Sequence, residues 1–303
     1  MLVVVADCLL VLHVLLVLYV LHVHVLLSAL YILPLYFCFH KNSMDKRLEE
    51  EVDVGSVDEP IDDTGSPEEI ELNDLQESCV NTVEDVVRSM KAPFSMSICS
   101  KRNSGKSFLV RNLVYELAKQ KKINQVIVMS NTSGMSLNKD YDYMPKKLLT
   151  TYKESTITKL LEVQAKDIKR GKIREVLLIM DDCIGETKDK SGEGSRMIRS
   201  LYANSRHYHV SVILLSQIAN RLLTPAIKEN SDYLFFSRIN RKGLESIWES
   251  ICNIDKKDFI AFAEKSNKDY SFILYDNTTQ SNKPEDFLFI VRAEQKQFLL
   301  NGK

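Results

Sequence analysis

Residues 97–108 read S-I-C-S-K-R-N-S-G-K-S-F, and this stretch decides the fold. An apolar run over 94–99 leads into a short polar loop, and a helical pattern begins at Lys106 with Phe108, Leu109, Leu113, Val114 and Leu117. Strand, loop and helix in that order are the setting of a phosphate-binding loop, whose pattern is Gly, four residues, Gly-Lys and Ser or Thr. Ser100 stands where that pattern has its first glycine. The first glycine eases a turn, whereas the later residues bind. Backbone N–H groups of Asn103, Ser104, Gly105, Lys106 and Ser107, with Arg102 beside them, would cradle phosphates at a helix N-terminus. Lys106 would reach the β- and γ-phosphates of ATP, and the Ser107 hydroxyl would ligate Mg²⁺. The competing reading is a basic loop with a chance Gly-Lys-Ser.

A second stretch, E-V-L-L-I-M-D-D-C over 175–183, bears on that choice. Five consecutive apolar residues ending in two carboxylates describe a buried central strand that delivers acids to the edge of a sheet. Asp181 would hold Mg²⁺ opposite Ser107, and Asp182 would orient or deprotonate the attacking water. The pair follows Lys106 by about 75 residues, and the combination is more specific than either part. A third stretch, N-S-R-H-Y-H-V-S-V-I-L-L-S-Q over 204–217, is a strand tipped by Ser216 and Gln217, with Gln217 as the candidate γ-phosphate sensor. A Gln that merely caps a strand edge is the alternative. Just before it, Arg206 is the candidate arginine finger, offered to a neighbouring subunit's triphosphate, with Arg196, Arg199, Arg238 and Arg241 as competitors. His207 and His209 lack Cys or carboxylate partners in the sequence and read as packing or DNA-backbone contacts.

From residue 80 onward short apolar runs alternate with helical periods. The runs fall at 94–99, 125–130, 176–181, 210–215, 233–236, 271–275 and 287–291, and the clearest helices at 106–121, 157–171 and 196–204. This alternation predicts one α/β domain over 80–303, with a mostly parallel sheet covered on both faces. Six cysteines lie far apart with no C-x-x-C pair, so neither a zinc site nor a disulfide framework is indicated.

The N-terminal segments differ in kind. Residues 1–43 are an apolar, low-complexity run whose uncharged part over 8–38 is long enough to span a bilayer. Two readings stand: a transmembrane anchor, or an artefactual extension ahead of a true start at Met44. Residues 44–79 are acidic and broken by Gly and Pro, the composition of a disordered linker. Over 44–78 there are 14 Asp and Glu against Lys46 and Arg47. Subtracting the neutral first segment and the −12 of the second from the total of −1 leaves about +11 on the remainder. A basic body of that kind suits a polyanionic partner, and a solubilising surface is the alternative.

Taken in order, S-K-R-N-S-G-K-S-F, Q-V-I-V-M-S-N-T, D-Y-D-Y-M-P, L-L-I-M-D-D and S-R-H-Y-H-V-S-V-I-L-L-S-Q resemble the poxvirus-type genome-packaging ATPases of large eukaryotic DNA viruses. These belong to the FtsK–HerA superfamily of P-loop NTPases, and the resemblance covers roughly residues 90–290. It implies a RecA-like P-loop domain working as a homo-oligomeric ring, a hexamer by family precedent, that hydrolyses ATP with Mg²⁺ to drive double-stranded DNA into a capsid. It implies capsid components as partners and a place in the virion or at the assembly site in host cytoplasm or nucleus. It supports Lys106 and Ser107 at phosphate and Mg²⁺, Asp181 at Mg²⁺, Asp182 as base and Gln217 as sensor. Loops bearing Lys188, Lys190 and Arg196 would grip DNA in the pore. Two rival functions remain open: a membrane-anchored FtsK-like DNA pump tethered through 8–38, and a nucleotide-binding switch or scaffold without turnover. Ser100 and the short Asp182, where related enzymes more often carry Glu, motivate the second.

Overall fold

The computed structural model describes residues 80–130, 139–183, 196–249, 254–266 and 270–300. All lie in one compact unit that begins at residue 68. The apolar run, the acidic linker, Lys188 and Lys190 fall outside the described residues. Among those residues, no helix is long and apolar enough to cross a membrane.

The fold begins with a short strand β1 (Val80–Thr82) and helix α1 (Val83–Ser89), joined by a capping box in which Thr82 and Asp85 satisfy each other's backbone N–H groups. Strand β2 (Ser95–Ser100) leads through the phosphate loop into α2 (Lys106–Lys119). Strands β3 (Gln125–Ser130) and β4 (Leu149–Thr150), helix α3 (Glu154–Lys169) and strand β5 (Val176–Asp181) follow. Helix α4 (Arg196–Asn204) precedes β6 (Val210–Ser216), and two short helices α5 (Ala219–Leu222) and α6 (Pro225–Asn230) lead to β7 (Tyr233–Ser237). The chain closes with α7 (Arg241–Trp248), α8 (Lys256–Ser266), β8 (Ser271–Asp276), α9 (Pro284–Phe287) and β9 (Leu288–Arg292).

Among the described residues the sheet has nine strands in the order β1-β9-β8-β7-β2-β6-β5-β3-β4. Every pairing is parallel except β7 with β8 and β8 with β9. Strands β2, β6 and β7 are buried at every position, so their side chains sort to two faces by the two-residue period. Leu177, Ile179, Ile213 and Leu215 pack with Met96, Ile98 and the α2 residues Leu109, Leu113 and Leu117. Val176, Leu178, Met180, Val212 and Leu214 face the other way, against Ile198, Leu201 and Tyr202 of α4 and against α7 and α8.

The expected strands and helices are present, with ends that coincide or shift by up to three residues. Helix α2 stops at Lys119 because Lys121 turns left-handed at φ 56°. The β7–β8–β9 portion supplies the antiparallel part of a sheet expected to be mostly parallel. Helices α7 and α8 were not among the expected elements, although Leu244, Ile247, Phe259, Phe262 and Ala263 recur at helical spacing and are buried.

Candidate nucleotide site

Ser100 is the last residue of β2, pairs in register with Ser237 of β7, and is fully buried. Its hydroxyl donates to Ser104 Oγ, which in turn donates to the Lys101 carbonyl at 2.5 Å. The left-handed positions of the loop are Asn103 at φ 58° and Gly105 at φ 94°. Ser100 keeps an extended backbone, so a side chain in place of the first glycine creates no steric conflict and ties the loop together. Gly105 is different: its positive φ favours glycine, and a Cβ there would lie 2.8 Å from Cδ1 of Tyr270. Lys106 bends back so that Nζ donates to the carbonyls of Ser100 at 2.6 Å and Lys101 at 3.0 Å. Burial lowers its pKa, while the charges of Asp182 and Asp181 oppose that shift.

The acids reach the same place because the parallel strands end at one edge. Strand β6 lies between β2 and β5, with Cys99 opposite Ser216 and Leu215 opposite Asp181. One intervening strand separates the loop from the acids by about 10 Å at the sheet, and ligands bind in such a crevice outside the carboxyl ends of strands. Asp181 accepts a hydrogen bond from the Tyr141 hydroxyl at 3.0 Å. Burial, reinforced by the charge of Asp182, pushes the Asp181 carboxyl up to about 6, against the pull of Tyr141 and Lys106. Asp182 sits at φ 51°, its N–H bonded to Leu215 O at 3.2 Å, and its carboxylate accepts from Gln217 Nε2 at 2.6 Å.

Together these groups enclose a pocket of about 420 Å³. Arg102, Asn103, Ser104, Gly105, Lys106, Ser107, Asp181, Asp182 and Gln217, all singled out from sequence, line it. So do Phe108, Asp140 and Tyr270, which were not. Asp140 and Tyr141 lie in the D-Y-D-Y run, whose residues carried no assigned role because nothing local ties it to a strand end 40 positions later. The oxygen donors of Ser107 and Asp181 fit a hard cation such as Mg²⁺, and a cation would relieve the crowding of charge at Asp181.

Arg206 is not brought to this pocket. It lies before β6, at the opposite edge of the sheet, where Nη2 donates to Asp232 Oδ1 at 2.9 Å and the other Asp232 oxygen accepts from Ser95 N at 2.7 Å. His209 lies at the same edge, with Nδ1 2.8 Å from Glu175 Oε1, so a carboxylate partner invisible in the local sequence is supplied by the fold.

A mostly parallel sheet with a glycine-lysine-serine loop at its carboxyl edge and two acids beyond one intervening strand defines a P-loop nucleoside triphosphatase. The family model described as "Poxvirus A32 protein" matches residues 85–292. The match spans more than half of the chain, which therefore belongs to the poxvirus A32 protein family. An uncharacterized protein of Acanthamoeba polyphaga mimivirus is 26% identical over 224 residues, 69% of this chain and 76% of that protein. One of Invertebrate iridescent virus 6 is 27% identical over 221 residues, 71% of this chain and 82% of that protein. Among solved structures, the genome packaging NTPase B204 from Sulfolobus turreted icosahedral virus 2 in complex with sulfate is similar at 20% identity and a TM-score of 0.49, covering 69% of this chain and all of that one.

Proposed function

We propose that this chain is an ATP-driven motor that moves double-stranded DNA into viral capsids. The observation that carries the reading is the pocket in which loop, paired acids and Gln217 converge. Lys106 releases the carbonyls of Ser100 and Lys101 and binds the β- and γ-phosphates, while the N–H groups from Asn103 to Ser107 hold the chain of phosphates. Ser107 and Asp181 would hold Mg²⁺, which would neutralise charge on the phosphate oxygens. Asp182, oriented by Gln217, takes a proton from the attacking water as its oxygen bonds to the γ-phosphorus and the bond to the ADP oxygen breaks. Gln217 is thereby placed to report the γ-phosphate to the residue that activates water.

Pocket and Arg206 sit at opposite edges of one sheet. A head-to-tail contact repeated around a closed ring apposes opposite faces of successive subunits. That arrangement supports Arg206 acting on the neighbour's triphosphate, in a ring that the family resemblance suggests is hexameric. The basic charge outside the N-terminal segments supports sequence-independent binding to DNA phosphates.

Steady-state ATP hydrolysis by the full-length chain, with and without linear double-stranded DNA at two salt concentrations, tests the reading. Stimulation by DNA that fades as salt rises is the expected outcome. Hydrolysis indifferent to DNA overturns the motor, and no hydrolysis at all leaves a nucleotide-binding switch.

A further inference from the structure

We propose that Tyr270 and Phe108 form the platform on which the nucleobase of the bound nucleotide stacks. The inference rests on the nucleotide reading of the pocket and names the part of the ligand that the loop and acids leave unaccounted for.

Large apolar side chains with substantial exposure are few among the described residues, and the two aromatic ones are Phe108, 43% exposed, and Tyr270, 53% exposed. They come from elements more than 160 positions apart in sequence, yet both line this one pocket. Their ring centroids are 6.0 Å apart with planes tilted by 44°. Phe108 directly follows Ser107 on the first turn of α2, and Tyr270 lies against Gly105. Tyr270 also holds a left-handed backbone, φ 58°, immediately before β8, a conformation uncommon for an aromatic residue.

The chemistry sorts the pocket into two ends. Lys106, Ser107, Asp181 and Asp182 supply charge and oxygen donors for phosphate and cation. The rings supply an apolar surface that water covers poorly and a flat heteroaromatic base covers well. Stacking on a protein ring strengthens base binding by roughly 5- to 150-fold per base and tolerates base identity, since every base presents a π-face.

The test separates base from phosphate. Dissociation constants of ATP and of inorganic tripolyphosphate, each with Mg²⁺, are measured by calorimetry on the full-length chain and on Tyr270→Asn, Tyr270→Phe and Phe108→Ala. Asn tolerates the left-handed backbone, so the loop is preserved while the ring is removed. Tyr270→Asn should weaken ATP binding by roughly 5- to 150-fold and leave tripolyphosphate within twofold, with Phe108→Ala acting in the same direction and Tyr270→Phe retaining ATP affinity. Equal losses for both ligands would assign Tyr270 to shaping the loop through Gly105 and overturn the proposal, as would no loss for either. A wild-type chain that binds tripolyphosphate and ATP equally well also overturns it, whereas one that binds neither overturns the nucleotide reading itself.

Discussion

Replacing Asp181 by Asn should make the protein more stable while it loses activity. The buried carboxyl has its pKa raised from the ordinary 3.8 to about 6, burial being the first cause and Asp182 the second. At pH 7.5 the group is ionised in both folded and unfolded chains, so about two pKa units of mismatch destabilise the fold by about 3 kcal/mol. The direction follows from which state holds the proton more tightly. Between the unfolded and folded pKa values the native chain binds more protons, so stability falls as pH rises from 3.8 to about 6 and is flat above. The same linkage leaves roughly half of that penalty at pH 5 and a small fraction of it at pH 4. The amide can still accept the hydrogen bond from Tyr141, so most of the penalty is recoverable. At about 2–4 °C per kcal/mol for a domain of this size, Tm should rise by roughly 5–10 °C at pH 7.5. Thermal unfolding of the full-length chain in EDTA without nucleotide, at pH 7.5, 5 and 4, reads the difference, and hydrolysis with Mg²⁺ at pH 7.5 reads the loss of function. A variant less stable than wild type at pH 7.5, or a gain unchanged between pH 7.5 and 4, would refute the reasoning.

Three further outcomes are expected. Lys106→Ala should lower ATP turnover by at least about 100-fold, measured at saturating Mg²⁺ and ATP, and turnover within a few fold of wild type would remove Lys106 from the chemistry. Ser100→Gly should keep nucleotide affinity within about threefold yet destabilise by about 1–2 kcal/mol in urea, because a strand gains backbone freedom and the bond to Ser104 is lost. Arg206→Ala should bind ATP normally and turn it over about 1,000-fold more slowly. Mixing it with Lys106→Ala should restore part of the hydrolysis, since one subunit then brings an intact pocket and its neighbour the arginine; a mixture as inactive as its components would argue against action between subunits.

The chemistry-bearing pieces were readable because each is a short contiguous string tied to a strand end. The loop from Arg102 to Ser107 interrupts strand and helix patterns, Asp181 and Asp182 close an apolar run, and Gln217 closes another. Less was readable at Asp140, Tyr141 and Tyr270, whose neighbours are brought by the fold: Tyr141 meets Asp181, and Tyr270 meets Gly105 and Phe108. The position of Arg206 also depends on tertiary structure, because a residue ahead of β6 and one behind it face opposite edges, and sequence spacing alone assigns neither to a subunit contact.

By itself the sequence determined that strands alternate with helices, that the strands are buried, and that a phosphate loop and two carboxylates stand at their ends. Those properties are local: periodicity, burial pattern and the residue types a triphosphate and a cation demand. Only the tertiary structure decided which strands are neighbours. Buried parallel strands are near-interchangeable apolar runs such as V-L-L-I-M and V-S-V-I-L-L, so neither run carries a label for its partner. Packing of the two helical layers put β6 between β2 and β5, and that order set Gln217 against Asp182 at the mouth of the pocket.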